Sequence, residues 1–476
     1  MRYLSATQVA RLVDVPRGAR PYYRALAGSV RALIMDGQIP VRVRMPAERH
    51  LAETLDVSRT TVTSAYDLLR EQGYLDSRQG AGSWTALPDP AELADNPWLS
   101  TGDDGLLQMH CAAPPAPSLL HEAMTEAAQD VARHGMGNGY HPMGLPQLRE
   151  RVAAHYTERG VATRPEQILI TTGSQHALQL VTGVLLGRGE AMIVESPTYT
   201  HAMDVARQHG GRIVPVGVSH EGWRPDLVAG AMRQSAARLA YLMPDFQNPT
   251  GAFMDEATRA AVAGAARRAG TTLLIDETWA ELALDDLPRT APMAAFDTDS
   301  RVVTIGSASK LWWGGLRIGW IRTTAALARR LAQHRAAIDI ASPVLEQLVV
   351  ARLFDRLEAT RAERRRTLRV SRQALAGALR ERLPGWAFSL PPGGGTLWIR
   401  LEPGESSTAL AEAAAYHGVR LAPGPWFGLE GTLESYLRLP YTQPPQVLAD
   451  AVERIARARE RGPVGPRPAD TLIPTV

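Results

Sequence analysis

The sequence predicts an α/β protein made of two unlike parts: a small helical head with a β-wing, and a larger domain around a mostly parallel sheet. Three observations carry this. The 476 residues are more than one ordinary core requires. Residues 22–86 show three short amphipathic helices and a turn-centred strand pair, whereas from about Leu106 apolar strands alternate with helical segments. Between the two, Leu87 to Gln108 holds Pro88, Pro90 and Pro97 with Asp89, Glu92, Asp95, Asp103 and Asp104 and no basic residue, which suits an exposed acidic linker. The expected organisation is an N-terminal extension (1–21), the head (22–86), the linker (87–108), the large domain (109–461) and a Pro-rich disordered tail (462–476).

In the head, Leu26, Val30, Leu33 and Ile34 share one face of a helix over 22–35, which Gly37 and Pro40 end. A second helix from about Ala47 buries Leu51 and Leu55. Asp56-Val57 makes a tight turn, and Ser58 caps a third helix that runs to Gln72 with Val62, Tyr66 and Leu69 inward. Gly73 stops it, and Tyr74 to Ala86 folds about Gln79-Gly80-Ala81-Gly82 into a wing. Helix, helix-turn-helix and wing together form a small unit suited to double-stranded DNA. The start of the third helix presents Ser58, Arg59, Thr60, Thr61 and Thr63. Its arginine suits a guanine edge, and its threonines suit phosphate or a thymine methyl group. Arg44 and Arg49 are placed to grip phosphate, and Gly80 to carry the wing into the minor groove. Each arginine taken alone is equally an ordinary solvated side chain. The charge agrees: residues 1–86 hold 12 arginines against 8 acids, and the remainder 40 basic residues against 41 acids.

The large domain is read from strands at Ile168–Thr172, Ala191–Glu195, Leu239–Pro244, Thr272–Asp276 and Val302–Ser307, each followed by a helical segment. A single cysteine, Cys111, excludes disulfides and thiolate metal clusters, and no metal site is expected. No apolar run suits a signal peptide or a membrane span, so the expectation is a cytoplasmic protein without a membrane partner.

Of the 52 basic residues, 51 are arginine; the one lysine is Lys310. Arginine stays protonated and is a poor nucleophile toward an aldehyde, whereas a desolvated lysine amine can deprotonate and condense. Lys310 is therefore a candidate imine former, unless it survives by chance.

Two resemblances sharpen these expectations. Leu51-Ala-Glu-Thr-Leu-Asp-Val-Ser-Arg-Thr-Thr-Val62, with Met45-Pro46-Ala47-Glu48-Arg49 before it and Leu69 to Leu75 after, resembles the winged helix of GntR-type repressors. Ser307-Ala-Ser309-Lys310 with Gly315-Leu-Arg317-Ile-Gly-Trp320 resembles the lysine segment of fold-type I pyridoxal-phosphate enzymes, near the 2-aminoadipate and kynurenine aminotransferases. That second likeness implies a cofactor, pyridoxal 5′-phosphate, bound as a Schiff base to Lys310, with Ser307, Ser309 and Arg317 on its phosphate.

Further segments fall in the same order. Thr172 to Ala177 opens a helix where Ser174, Gln175 and backbone N–H groups would meet phosphate, although a plain strand-turn-helix gives the same pattern. Pro244 to Gly251 supplies Asn248 for the cofactor's 3′ oxygen. Asp276, at a strand end, would face the pyridine nitrogen; alone it would read as a cap. Tyr199 matches the aromatic that stacks on the ring, or a core tyrosine. Arg438, following Pro391-Pro-Gly393-Gly394-Gly395-Thr-Leu-Trp398, matches the clamp for an effector or substrate carboxylate, or a surface ion pair.

One position departs. Where these enzymes place a tyrosine soon after the aspartate, this chain has Thr278 and Trp279, which puts full transamination in doubt. The whole, residues 22–460, resembles the MocR subfamily of transcription regulators: homodimers in which an aminotransferase-like domain senses an amino compound or the cofactor and governs binding to an operator. An active aminotransferase of the 2-aminoadipate or kynurenine type is the alternative.

Overall fold

The computed structural model describes residues 3–16, 20–78, 82–87, 105–287 and 290–462. Gly80, most of the expected linker and nearly all of the expected tail lie outside them.

The head is built as its periodicity dictates. Helices α1 (Ala6–Leu12), α2 (Tyr22–Met35), α3 (Glu48–Leu55) and α4 (Arg59–Glu71) precede strands β1 (Leu75–Arg78) and β2 (Gly82–Thr85), which pair antiparallel. Leu26, Val30 and Ile34 of α2 meet Leu51 of α3 and Val62, Tyr66 and Leu69 of α4 in one core. Ser58 caps α4 by accepting from the Thr61 N–H at 3.1 Å, and Asp56 takes the left-handed conformation between α3 and α4. Tyr66 is fully inside, so its hydroxyl needs a partner and donates to the Pro46 carbonyl at 3.0 Å. The N-terminal extension joins this unit: Ser5 and Gln8 form a capping box on α1, Val9 is buried, and the Leu4 N–H donates to the Arg44 carbonyl at 2.9 Å.

The large domain begins with β3 (Leu107–Gln108), α5 (Leu120–His134) and α6 (Pro146–Glu158). Its central sheet contains β4 (Ile168–Thr171), β5 (Ala191–Ser196), β6 (Arg212–Ser219), β7 (Gly222–Trp223), β8 (Leu239–Leu242), β9 (Thr272–Asp276), β10 (Val302–Ser307) and β11 (Gly319–Arg322). The order is β4-β11-β10-β9-β8-β5-β6-β7. The run from β10 through β9, β8 and β5 to β6 is parallel; β11 lies antiparallel between β10 and β4. Strands β4, β5, β8 and β10 are buried throughout, as expected for a sheet covered on both faces. Helix α7 (Ser174–Leu185) follows β4. A smaller C-terminal part adds β12 (Thr396–Arg400), β13 (Val419–Arg420), β14 (Ala422–Pro423) and β15 (Tyr436–Pro440). Strands β12, β15 and β14 form a separate sheet, and β13 pairs with β3.

The head is seated directly on the large domain. The Leu433 N–H donates to the Met35 carbonyl at 2.7 Å, Gln38 Nε2 donates to the Val218 carbonyl at 3.1 Å, and Arg42 pairs with Glu430 at 3.0 Å. Arg11 of α1 reaches Asp226 at 3.2 Å. At the closest approach, a Cβ placed on Gly217 would lie 2.9 Å from the Gln38 Cα and 3.0 Å from its carbonyl oxygen.

The cap on α4 gives a direct test. Ser58→Ala is expected to cost about 1 kcal/mol, the usual worth of a serine N-cap. Chemical unfolding followed by far-ultraviolet dichroism measures it, and Ser64→Ala, exposed mid-helix, should change little.

Candidate functional site

Parallel strands bring their C-terminal ends to one edge, where α/β proteins bind ligands. Here the ends of β9 and β10 deliver Asp276, Ser307 and, one turn on, Lys310. The Lys310 amine donates to the Ala112 carbonyl at 2.7 Å and lies 5.1 Å from the centre of the Trp279 ring. Burial disfavours its charged form and brings its pKa down to about 8, with nearby Arg438 and Arg317 acting in the same direction. Asp276 accepts from the Tyr241 hydroxyl at 2.7 Å and from the Thr278 N–H at 2.8 Å. Burial raises its pKa, and these hydrogen bonds oppose the rise. A buried carboxylate held by neutral donors suits a facing protonated nitrogen.

A second group forms an anion cradle. Gly173 caps α7 at φ 85°, a conformation that favours glycine, and a Cβ there would sit 2.6 Å from Arg317 Nη2. The guanidinium thus lies against the helix N-terminus and donates to the Thr172 carbonyl at 3.3 Å. Ser174 and Gln175 open that helix, with Gln175 Oε1 buried and unpartnered. Ser307 Oγ accepts from the Ser309 N–H at 3.1 Å and donates to Ser309 Oγ at 2.9 Å. Backbone N–H groups, hydroxyls and one arginine match a phosphate dianion.

The third group is a buried cation. Arg438 on β15 is 6% exposed, so the alternative of a surface ion pair fails. Its Nη1 donates to Asn248 Oδ1 at 3.3 Å, its Nη2 donates to the His110 carbonyl, and its Nε is buried without a partner. Burial lowers its pKa to about 10. The guanidinium lies over the Phe427 ring, 4.7 Å from its centre. Tyr199 stands edge-on to His201, its own pKa raised by burial with Asp276 adding to the rise. An unpartnered buried guanidinium N–H and a cradle a methyl group would fill both fit a phosphorylated, carboxylate-bearing ligand. Sequence reasoning missed Tyr241, Phe427 and the His110–Ala112 segment. Tyr241 lies on β8, and only the β8–β9 register brings it to Asp276.

On the head, Arg59 and Thr60 are exposed at the start of α4. Ser58 Oγ bonds the Thr60 and Thr61 hydroxyls at 2.7 and 2.8 Å. Thr63, one turn on, has its hydroxyl engaged within the head: it donates to Glu48 on α3 at 2.8 Å. Arg49 is exposed and pairs with Glu53, and the exposed Arg44 packs its guanidinium along Gly82.

Residues 115–455 match the family of class I and II aminotransferases, and residues 22–84 the gntR family of bacterial regulatory proteins. The chain belongs to the class I and II aminotransferase family. Joined to its gntR-type head, this aminotransferase domain gives the arrangement of MocR-type regulators. The probable rhizopine catabolism regulatory protein MocR of Rhizobium meliloti is 29% identical over 85% of this chain and 86% of its own. The Bacillus subtilis HTH-type transcriptional regulator YisV is 28% identical over 83% and 86%. Among solved structures, the α-aminoadipate aminotransferase LysN of Thermus thermophilus, complexed with N-(5′-phosphopyridoxyl)-L-leucine, superposes with a TM-score of 0.69 and 30% identity over 75% of this chain and 92% of that one. Among the described residues no helix is long and apolar enough to cross a membrane, and no His, Cys, Asp and Glu cluster could hold a metal ion.

Because Lys310 is the sole lysine, its titration can be read without interference. Acylation of the Lys310 peptide, followed by mass spectrometry in cofactor-free protein, should rise with a midpoint near pH 8. A midpoint above pH 10, the range of a free lysine, would contradict the desolvated amine.

Proposed function

We propose that this chain is a pyridoxal-phosphate-dependent transcription regulator whose aminotransferase-like domain binds an amino compound and thereby changes the hold of a winged helix on operator DNA. The observation that carries this is the meeting of the only lysine with Asp276, Arg317 and Arg438 at one sheet edge, in a chain that also bears a gntR-type head. When bound, pyridoxal phosphate supplies an aldehyde carbon that condenses with primary amines.

The chain's own residues do the rest. Ser174, Gln175, Ser307, Ser309 and Arg317 would hold the cofactor's phosphate, Asn248 would donate to its 3′ oxygen, Asp276 would keep its ring nitrogen protonated, and Tyr199 would pack on the ring. Lys310 supplies an amine whose pKa, brought down to about 8 by burial, leaves a substantial neutral fraction there. Arg438 grips a carboxylate, so an effector carrying both a primary amine and a carboxylate fits the pair. On DNA, Arg59 and Thr60 face base edges while Arg44 and Arg49 hold phosphates. The effector shifts DNA affinity only through its different affinity for two arrangements of the protein.

A homodimer accords with the surface beside the cradle. Ile338 and Ile340 are exposed there, flanking Asp339, whose carboxylate accepts from Thr172 Oγ1 at 3.0 Å. Exposed apolar side chains so close to a binding site suit burial by a second copy. The same surroundings count against an active aminotransferase: Trp279, packed beside Lys310, offers no phenol where these enzymes carry one.

Four measurements test the reading. Purified protein treated with borohydride should carry a phosphopyridoxyl group on the Lys310 peptide. Arg59→Ala should weaken operator binding roughly tenfold, within the 1–3 kcal/mol of a good base contact. Lys310→Ala should bind the operator but lose its response to cofactor and amines; an unchanged response would remove Lys310 from the signal. Turnover of amino groups onto 2-oxoglutarate at about 1 per second or faster would favour the enzyme instead.

A further inference from the structure

We infer that a relay of aromatic side chains connects Arg438 to the DNA-binding head, so that a carboxylate engaged by Arg438 loosens the seat of the head. This rests on the regulatory reading above. The Arg438 guanidinium lies 4.7 Å over Phe427. Phe427 meets Trp398 edge-to-face at 5.7 Å. Trp398 stacks on Tyr436 at 5.1 Å with the planes 4° apart. The Tyr436 hydroxyl lies near Asp36, the residue that closes α2 of the head, and the Tyr436 N–H donates to the carbonyl of Leu433, the residue whose own N–H bonds the head at Met35, at 2.9 Å.

The backbone runs the same way. The Phe427 carbonyl accepts from the Thr198 N–H at 2.9 Å, next to Tyr199, while the Leu433 N–H holds the Met35 carbonyl at 2.7 Å. Residues 427–436 thus touch the site at one end and the head at the other. Arg42 of the head adds an ion pair to Glu430 in the middle of that span.

The direction follows from competition for one cation. In the structure the guanidinium is shared among the Phe427 face, Asn248 and the His110 carbonyl, with Nε unpartnered. A carboxylate offers a charged, two-pronged acceptor and outbids a ring face, since ionic bidentate contacts are the stronger kind. Drawn toward that anion, Arg438 leaves the ring. Phe427 then loses the contact that fixes it against Trp398, and the stack beneath Asp36 loosens.

Two ligands that differ by a single carboxylate isolate the effect: N-(5′-phosphopyridoxyl)-L-leucine and the corresponding adduct of 3-methylbutylamine. With full-length protein, hydrogen exchange of the peptides spanning residues 33–43 is expected to be at least threefold faster with the leucine adduct. Tyr436→Phe, which keeps the stack but removes the hydroxyl, should abolish that difference while both ligands still bind within twofold of wild type. Asp36→Ala, which removes the carboxyl group from the head's side alone, should give the same result. Equal exchange with the two ligands in the wild type, or a full difference retained in both variants, overturns the relay and leaves the cofactor reading standing. Failure of the wild type to bind either adduct overturns both.

Discussion

A buried carboxylate governs the architecture of the large domain. Asp276 closes the central strand β9 and receives hydrogen bonds from neutral groups, a tyrosine on the neighbouring strand and a backbone N–H two residues on. Such a group is costly to keep ionised away from water. The parallel register makes the cost tolerable by setting β8, β9 and β10 so that their ends open on the same edge. What stands at that edge complements the carboxylate: a neutralisable lysine, an arginine at a helix N-terminus and a second, buried arginine. The fold therefore concentrates cations around one anion.

Much of this was legible in the sequence because the signals were local. Ser58 capping α4, Gly73 ending it and the apolar stripe Val62, Tyr66, Leu69 each depend on residues within a few positions, and each forms as expected. The lysine segment was legible for a different reason: 51 arginines made the single lysine conspicuous. Contacts between distant segments were not legible. Thr63 looks free in sequence, yet Glu48, fifteen residues earlier on another helix, takes its hydroxyl. Tyr241 has the pattern of any core strand residue, and its hydroxyl acquires meaning only from the strand beside it. Periodicity says which side chains turn inward; it does not say which polar group will be waiting.

The N-terminal extension shows the same limit. In sequence, residues 1–21 carry little pattern. In the fold, α1 lies against α3 of the head, and Arg11 and the Tyr3 N–H reach Asp226 and Gln234 on the large domain. The extension therefore belongs to both bodies, and the head is held by contacts on two sides of its helical core. Exposed ion pairs of this kind contribute little singly, so the seat of the head depends more on close packing than on charge.

The contact of Gly217 with Gln38 gives that packing a particular character. Backbone lies on backbone there, with no side chain between to yield. The joint is consequently sensitive to bulk and nearly indifferent to chemistry: any residue larger than glycine acts as a shim beneath the head, whatever its polarity. A side chain at this one position would have to push the head away by its own size, so the closeness of the joint depends on a single missing methyl group.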